Sequence, residues 1–339
     1  MVENSVEDFG HNIFDIPNGK AHTLNMSDTA TLRDAILYFA DFEHCKELMM
    51  ALRWSDGKVK CPTCGAEKVT WLEKRRVWKC YSNHTSPTFS LKTGTIFEDS
   101  PIALEKWLPA TWMLLNSKNG ISSWELHRAL GVTQKSAWFM LHRIRRAMEG
   151  RTFNKLAGEV EADETFIGGK VRNMHKDRKR RAQHNGQKGD KTIVMGILER
   201  GGTVRTKVLS NRKRHAVETE LRANVELGTT LYTDALQSYA FINDEFAHQV
   251  IDHAISYAQG AVHTNGMENF WSCLKRTLGG TYISVEPYHL KAYLDEQAFR
   301  FNNRNMDDMH RFVYGMRQII GKRLTYAELT GKTLVEQHG

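Results

Sequence analysis

Four residues with the spacing of metal ligands constrain the fold of this chain most strongly. Cys61 and Cys64 are separated by two residues, and Cys80 and His84 follow as a second pair separated by three. The stretch between the pairs, VTWLEKRRVWK, has the pattern of a β-hairpin. Thiolates and an imidazole suit Zn2+ in a closed tetrahedral site, whose binding energy can fold a segment with almost no core. The spacing therefore predicts a zinc ribbon. The alternative is a set of unligated thiols beside a surface histidine.

Cysteine usage and hydropathy indicate the compartment. The five cysteines are too few and too unevenly spaced for a disulfide framework, and clustered cysteines in a reducing compartment usually bind metal. Cys45 and Cys273 lie outside the cluster and are expected to be buried free thiols. No stretch approaches the roughly 18 uncharged apolar residues that cross a bilayer. The N-terminus is acidic, whereas a secretion signal is basic and then apolar. We therefore expect a cytoplasmic protein with no membrane partner.

Basic residues are concentrated beyond the first 50 positions. The chain of 339 residues has a net charge of +8, but residues 1–50 carry −6 and the remainder carries +14. Segment 170–191 holds nine Lys or Arg, two Asp and almost no large apolar side chain, so it cannot form a core. Such a surplus favours a polyanionic partner such as nucleic acid. We interpret the segment as a flexible loop that binds a phosphate backbone through Arg178, Lys179, Arg180 and Arg181.

Residues 120–147 have the pattern of two helices joined at Gly131. Apolar residues recur at helical spacing on both sides of this glycine: Trp124, Leu126, Ala129 and Leu130 before it, and Ala137, Met140, Leu141 and Ile144 after it. Ser122 or Ser123 and Thr133 are plausible caps. The pattern is typical of a helix-turn-helix that reads a major groove, and an ordinary helical hairpin is the alternative. The predicted DNA contacts are the basic residues that end the second helix: Arg143, Arg145 and Arg146.

Strand patterns begin at residue 158. The stretch GEVEADETFIGG alternates as a strand and places Glu161 and Asp163 on one face. Residues 191–210 have the pattern of a β-hairpin, a helix is expected at about 213–226, TTLYTD is a strand ending at Asp234, and AHQVIDH is a short strand. In the helix that follows, Glu268 and Lys275 lie two turns apart on one face. The predicted order is β, β-hairpin, α, β, α, β, α.

The acidic residues occur in an order that resembles a known family. Asp163, Asp234, Glu268 and Lys275, with 33 residues between the second and third, resemble the DDE motif of transposases on an RNase H-like fold. The segments EADETFIGGK, LYTDALQSY, VHTNGMENFWSCLKR and YLDEQAFRFNNR, behind RWSDGKVKCPTCG and LKTGTIFEDS, resemble bacterial insertion-sequence transposases with an N-terminal zinc ribbon. The resemblance covers roughly residues 35–305. It implies an α/β fold, with a mixed sheet flanked by helices, and cleavage and joining of DNA strands at transposon ends.

Carboxylates suit the metal chemistry that such a reaction needs. Hard oxygen ligands bind Mg2+ or Mn2+, and two ions about 3.5–4 Å apart can assist in-line phosphoryl transfer. We assign Asp163 as the bridging ligand, Asp234 as the ligand of one ion and Glu268 as the ligand of the other. Lys275 is assigned as a cation near the DNA phosphate.

The third acidic position has alternatives. Asn265-x-x-Glu268 also fits a capping box, in which both residues only cap the helix. Related transposases with these sequence motifs can have Asn or His at the third position, so Asn265 or His263 is an alternative to Glu268. Glu161 and Glu164 flank Asp163, and each either supports the site or is exposed to solvent.

These observations predict five segments and one main function. We expect a flexible tail at 1–28, a helix and zinc ribbon at 29–100, a helix-turn-helix at 101–150, an RNase H-like domain at 151–310 and a helical extension at 311–339. The predicted partner is double-stranded DNA, both transposon ends and target. We expect a homodimer or higher multimer because two ends must be paired. The alternatives are a DNA-binding regulator derived from a transposase and a structure-specific nuclease of the same fold.

Overall fold

The computed structural model of this protein describes residues 31–150, 154–168, 191–234, 245–251 and 263–331. The chain divides into two compact units. The ribbon unit contains the described residues up to Asn116, Ser123–Ala147 and the described residues from Met306 onward. The sheet unit contains Ser117–Ser122 and the described residues from Met148 to Asn305. The predicted segment boundaries remain predictions, and the tail 1–28 and the basic residues Arg178, Lys179, Arg180 and Arg181 lie outside the described residues.

Two helices open the ribbon unit, where the sequence predicted a single helix ahead of the zinc ribbon. Helix α1 spans Leu32–Phe39 and helix α2 spans Phe42–Arg53. The first helix begins at residue 32 because Thr31 and Asp34 form a capping box. The second is capped by Asp41, whose side chain accepts a hydrogen bond from the Glu43 amide.

A three-stranded antiparallel sheet follows these helices. Its strands β1 (Val69–Leu72), β2 (Val77–Cys80) and β3 (Thr88–Phe89) are adjacent in chain order. The turn between β1 and β2 is a short 3-10 helix, Glu73–Arg75, and Arg76 completes it with a φ of 52°. Trp78 stacks on Phe89 across the sheet, with ring centroids 5.7 Å apart. The hairpin predicted between the two ligand pairs is therefore present.

Five further helices complete the ribbon unit: α3 (Leu104–Asn116), α4 (Ser123–Leu130), α5 (Gln134–Met148), α9 (Asp308–Arg317) and α10 (Tyr326–Thr330). Helix α3 is buried along most of its length. Helix α9 packs against it, and the Phe312 ring lies 5.2 Å from that of Trp112 and 5.4 Å from that of Phe39. The C-terminal helices therefore belong to the same core as the N-terminal ones.

A five-stranded mixed sheet forms the centre of the sheet unit. Its strands are β4 (Glu159–Ile167), β5 (Thr192–Glu199), β6 (Val204–Leu209), β7 (Thr230–Asp234) and β8 (Ala247–Ile251), in the spatial order β6-β5-β4-β7-β8. Strand β5 pairs antiparallel with both β4 and β6, whereas β7 and β8 run parallel to β4. The helices are α6 (Arg214–Asn224), α7 (Asn265–Thr277) and α8 (Leu290–Asn302). The predicted fold class, α/β with a mixed sheet flanked by helices, is confirmed.

The sheet carries an apolar core on each face. Strand alternation directs Val160 and Ala162 of β4 to one face, where they pack with Leu221 of α6. The other face packs against α7 and α8 through Val194, Leu198, Met267, Phe270, Trp271, Leu274, Leu290 and Leu294. Polar residues of β4 that point toward α7 are therefore held between a strand and a helix.

Candidate functional site

The four predicted zinc ligands lie together in the ribbon unit. One ligand atom from each of Cys61, Cys64, Cys80 and His84 lies within 4.8 Å of the others. The Cys61 Sγ is 3.6 Å from His84 Nε2, and the Cys64 Sγ is 3.7 Å from the Cys80 Sγ. In a tetrahedral site with Zn–S near 2.3 Å and Zn–N near 2.0–2.1 Å, two sulfurs are about 3.8 Å apart and a sulfur and a nitrogen about 3.6 Å. The donors and their spacing therefore fit Zn2+.

Backbone amides favour the thiolate form of two of these cysteines. The amide of Ala66 lowers the pKa of Cys64, and the amide of Ser82, 3.4 Å from the Cys80 Sγ, lowers the pKa of Cys80. Burial raises the pKa of Cys61. Since zinc binds the thiolate, these N–H donors favour the form that binds the ion.

Two acidic positions lie on neighbouring parallel strands of the sheet unit. Strands β4 and β7 pair Glu159 with Thr230 and Glu161 with Tyr232. The pairing ends there, and two residues further along each strand are Asp163 and Asp234, the latter at the end of β7. Adjacent strands lie about 4.8 Å apart. Asp163 is partly exposed. The backbone thus brings two of the predicted metal ligands to one place on the sheet.

Helix α7 carries the third acidic residue and contacts Asp163 directly. The Trp271 indole donates from Nε1 to Asp163 Oδ2 at 2.9 Å, and the amide of Glu164 donates to Asp163 Oδ1 at 2.8 Å. Glu268 lies about one turn before Trp271 and Lys275 about one turn after it, and both are exposed. The hydrogen bond from Trp271 therefore holds the segment between Glu268 and Lys275 against Asp163.

The start of helix α7 distinguishes the alternatives for the third position. The N-cap is Thr264, and Asn265 is the first helical residue, so the alternative in which Asn265 and Glu268 form a capping box is wrong. At about 100° per residue, Glu268 projects about 60° from Trp271 and Asn265 about 120° from it. His263 is held by Arg200, whose Nη2 lies 3.2 Å from His263 Nδ1. Glu268 is therefore directed nearer to Asp163 than Asn265 is.

Two family models and one relative match this chain. Residues 155–302 match the model of the ISXO2-like transposase domain, and residues 41–84 match that of the transposase zinc-ribbon domain. The chain belongs to the insertion-sequence transposases. It is also 27% identical over 280 residues to an "uncharacterized protein in transposable element ISH50" of Halobacterium salinarum, an alignment that covers 77% of this chain and 93% of that protein. The matched transposase domain includes positions 163 and 234 and helix α7.

Two further carboxylates of the transposase domain flank Asp163. Glu161 lies on the same face of β4, is buried, and accepts hydrogen bonds from Arg200 Nε and from the Met267 amide, both at 2.9 Å. Glu164 lies on the opposite face, where Arg212 Nη2 is 3.2 Å away. The sequence analysis left both open between a supporting role and exposure, and both side chains are buried and paired.

The sequence analysis missed Trp271 and Arg200 as partners of the acidic residues. By helical spacing Trp271 is expected only to be a core residue, although a buried indole N–H usually needs an acceptor. The need of the indole for an acceptor, together with an acidic residue on the facing strand, could have predicted this hydrogen bond. Arg200 follows β5 immediately, at the turn of the hairpin, where a buried role is not apparent from local pattern.

The predicted helix pair of the transposase is present, but two of its predicted DNA contacts are not. Helices α4 and α5 are joined at Gly131, which has a φ of 60°. Arg143 and Arg145 are only 4% and 1% exposed. Arg143 donates to the carbonyls of Glu98 and Leu324, at 2.6 and 3.1 Å. The prediction that these two side chains contact DNA is wrong because they are buried in the ribbon unit. Arg146 is exposed, and its contact with DNA stays a prediction.

Two smaller expectations were changed, and the one for Cys45 is confirmed. Trp124 is 58% exposed and Ala129 is also exposed, so only Leu126 of the first predicted stripe is fully buried. Cys45 is buried as expected and donates to the carbonyl of Phe39. Cys273 is only partly buried. Within the described part of the chain, no helix is both long and apolar enough to span a bilayer.

Proposed function

We propose that this transposase binds the ends of its insertion sequence as double-stranded DNA and catalyses metal-dependent strand cleavage and strand transfer. The main support for the proposal is that β4, β7 and α7, which carry the three acidic residues, are neighbours in one domain. Asp163 and Asp234 lie on adjacent parallel strands, each two residues beyond the paired Glu161 and Tyr232, and the bond from Trp271 to Asp163 holds the helix of Glu268 against β4. Oxygen donors from separated elements are what a two-metal phosphoryl-transfer site requires.

Two donors orient the carboxylate of Asp163. Trp271 donates to one of its oxygens and the Glu164 amide to the other. These bonds from a helix and from the strand itself fix the plane of the carboxylate. A carboxylate held in this way suits a metal ligand, and we assign to Asp163 the role of the ligand shared by the two cations.

The remaining roles follow from the positions of the elements. Asp234 would hold one ion from the end of β7, and Glu268 would hold the other from α7. When bound, Mg2+ or Mn2+ would activate the attacking oxygen and stabilise the leaving one. Lys275 lies on the same exposed flank of α7 as Glu268, about 20° around the helix, and would contact the DNA phosphate.

DNA binding is proposed to come from the remainder of the chain. The zinc ribbon and the α4–α5 helix pair would recognise the ends, with Arg146 as an exposed basic residue near the end of α5. The basic residues Arg178, Lys179, Arg180 and Arg181 would bind the phosphate backbone. Because two ends must be paired, we expect a dimer or higher multimer on DNA.

Strand transfer in Mg2+ or Mn2+ tests the proposal, using oligonucleotides copied from the DNA that flanks the gene. We expect metal-dependent cleavage and joining by the wild type, and loss of both in Asp234→Asn with DNA binding retained. Specific binding without cleavage by either protein would contradict the proposal and favour a regulator. Cleavage without sequence-specific binding would favour a nuclease.

The third position is tested in the same assay. Glu268→Gln should abolish cleavage and leave DNA binding intact, because it removes a charged ligand and keeps the side-chain shape. Asn265→Ala is the matched variant, one turn away on the same helix, and should cleave like the wild type. The opposite pattern would assign the third position to Asn265.

A further inference from the structure

A buried carboxylate links strand β4 to the start of helix α7. Glu161 is 1% exposed. Its Oε2 accepts from the Met267 amide at 2.9 Å, and its Oε1 accepts from Arg200 Nε at 2.9 Å. Met267 is the third residue of α7, where a backbone N–H has no partner within the helix. Glu161 thus supplies from the sheet the acceptor that a capping side chain usually supplies.

The helix has no side-chain cap of its own. Its N-cap residue, Thr264, makes no side-chain hydrogen bond to the first turn. A negative charge at a helix N-terminus is also favoured by the helix dipole. The attachment of α7 to the sheet at this end therefore depends on a carboxylate from another element.

Gly266 allows the close approach that this bond requires. A Cβ at this position would lie 2.8 Å from Glu161 Oε2 and 2.5 Å from Leu198 Cδ2. Any other residue would therefore push the first turn of α7 away from both β4 and β5. Glycine at position 266 therefore allows the first turn of α7 to lie directly against the carboxylate of Glu161.

Arg200 connects the same carboxylate to a third element. Its guanidinium carbon lies 3.8 Å from the ring centroid of Tyr232 on β7. Its Nη2 donates to the His263 carbonyl, in the residue before the helix cap, at 2.6 Å. The Tyr232 hydroxyl donates to Glu159 at 2.6 Å. A single network, with the buried Glu161 carboxylate at its centre, therefore joins β4, β7 and the start of α7.

These are the three elements that carry the acidic residues of the proposed active site. Glu161 is two residues from Asp163, Tyr232 is two residues from Asp234, and Met267 is adjacent to Glu268. We infer that Glu161, held by Arg200, is a positioning residue that sets Glu268 relative to the two aspartates. The inference rests on the proposed function, since it concerns the same site.

The physical reason is geometric precision. Metal ligands must be held within about 0.5 Å of their working positions, and groups behind the ligands typically change metal affinity or activity by about 10–100-fold when removed. Glu161 does not touch the reacting atoms in this account. It acts through the position of the first turn of α7.

Glu161→Gln is the test variant, and Glu164→Gln is its matched control. Both residues are on β4, both side chains are 1% exposed, and both pair with an arginine, Arg200 and Arg212 respectively. Only Glu161 faces α7. If neutralising any buried, paired carboxylate on β4 disturbs the protein, both variants should be affected. Weakening of the bond from the Met267 amide, which anchors α7 to β4, should affect only Glu161→Gln.

Two measurements on the full chain separate positioning from stability. The first is hydrogen exchange of the amides over residues 264–271. We expect exchange to be faster by about tenfold or more in Glu161→Gln, because a charge-assisted hydrogen bond is weakened, and to change by less than about twofold in Glu164→Gln. Equal exchange in the two variants would overturn the inference.

The second measurement is strand cleavage as a function of Mn2+ concentration. We expect Glu161→Gln to cleave about 10–100-fold more slowly and to need more Mn2+ for half-maximal rate, with DNA binding and zinc content unchanged. A wild-type Mn2+ dependence and rate, despite faster exchange, would reduce Glu161 to a structural role and overturn the inference.

The two proposals fail in distinguishable ways. If the wild type cleaves no DNA with any divalent metal, the proposed function is wrong. Hydrogen exchange still tests the anchor in that case, because it needs neither metal nor activity.

Discussion

Gly196 leaves no room for a side chain between β5 and α7, and Gly196→Ala tests this packing directly. Gly196 pairs with Asp163 on the adjacent strand and lies beneath α7. A methyl group there would lie 2.1 Å from Met267 Cε and 2.7 Å from Trp271 Cζ2. The end of the methionine side chain can move at little cost. The indole cannot move away without losing its hydrogen bond to Asp163.

The expected cost combines two opposing effects. Overpacking of a core costs about 1–3 kcal/mol. Replacing glycine by alanine also restricts the unfolded chain, which returns about 0.4–1 kcal/mol. We therefore expect a net loss of roughly 1–2 kcal/mol in the free energy of unfolding. In a domain of this size each kcal/mol lowers the Tm by about 2–4 °C.

Thermal unfolding and strand cleavage together measure the effect. Gly280→Ala is the control, because a Cβ at Gly280 meets no atom within 4 Å and its backbone is not in the positive-φ region. We expect Gly196→Ala to lower the Tm and to reduce cleavage, since Trp271 must release Asp163, and Gly280→Ala to leave both unchanged. Wild-type Tm and cleavage in Gly196→Ala would refute the packing of α7 described above.

Three further predictions concern zinc, the arginines of α5 and salt. Cys64→Ser should lose the single bound zinc and expose residues 61–84 to proteolysis, whereas Cys273→Ser should retain both, as metal analysis and limited digestion would reveal. Arg143→Ala should destabilise the protein by about 2–4 kcal/mol, because buried carbonyls lose their donor. Arg146→Ala should change the free energy of unfolding by no more than about 0.5 kcal/mol and should reduce the salt dependence of DNA binding. Denaturation curves and salt titrations of both variants measure these effects. A large stability loss in Arg146→Ala, with a reduced salt dependence in Arg143→Ala, would contradict our assignment. For the wild type, the logarithm of the DNA-binding constant should fall steeply and linearly with that of salt concentration, and a flat response would contradict phosphate binding.

Local patterns were sufficient for the parts of the fold that depend on neighbouring residues. The ligand pairs of the ribbon follow from short spacings, and the strand of Asp163 and the helix of Glu268 follow from periodicity. The face of β4 shared by Glu161 and Asp163 was predictable because strand side chains alternate.

Contacts between distant segments could not be predicted in this way. Arg143 is buried, and it donates a hydrogen bond to the Leu324 carbonyl, 181 residues further along the chain. Trp271 bonds to Asp163 across 108 residues, and Arg200 reaches His263 across 63. Helical periodicity cannot reveal which charged residues such segments cover. For the same reason, the basic residues at the end of α5 predicted DNA contacts, although Arg143 and Arg145 are buried in the ribbon unit.

The central claim is that Asp163, Asp234 and Glu268 form one metal site, and anomalous diffraction from crystals grown with Mn2+ tests it most directly. We expect an anomalous peak about 2.0–2.6 Å from an oxygen of Asp163, within reach of the end of β7 and the first turns of α7, and its loss in Asp163→Asn. A peak that persists in the variant, or Mn2+ bound only away from these three elements, would contradict the account.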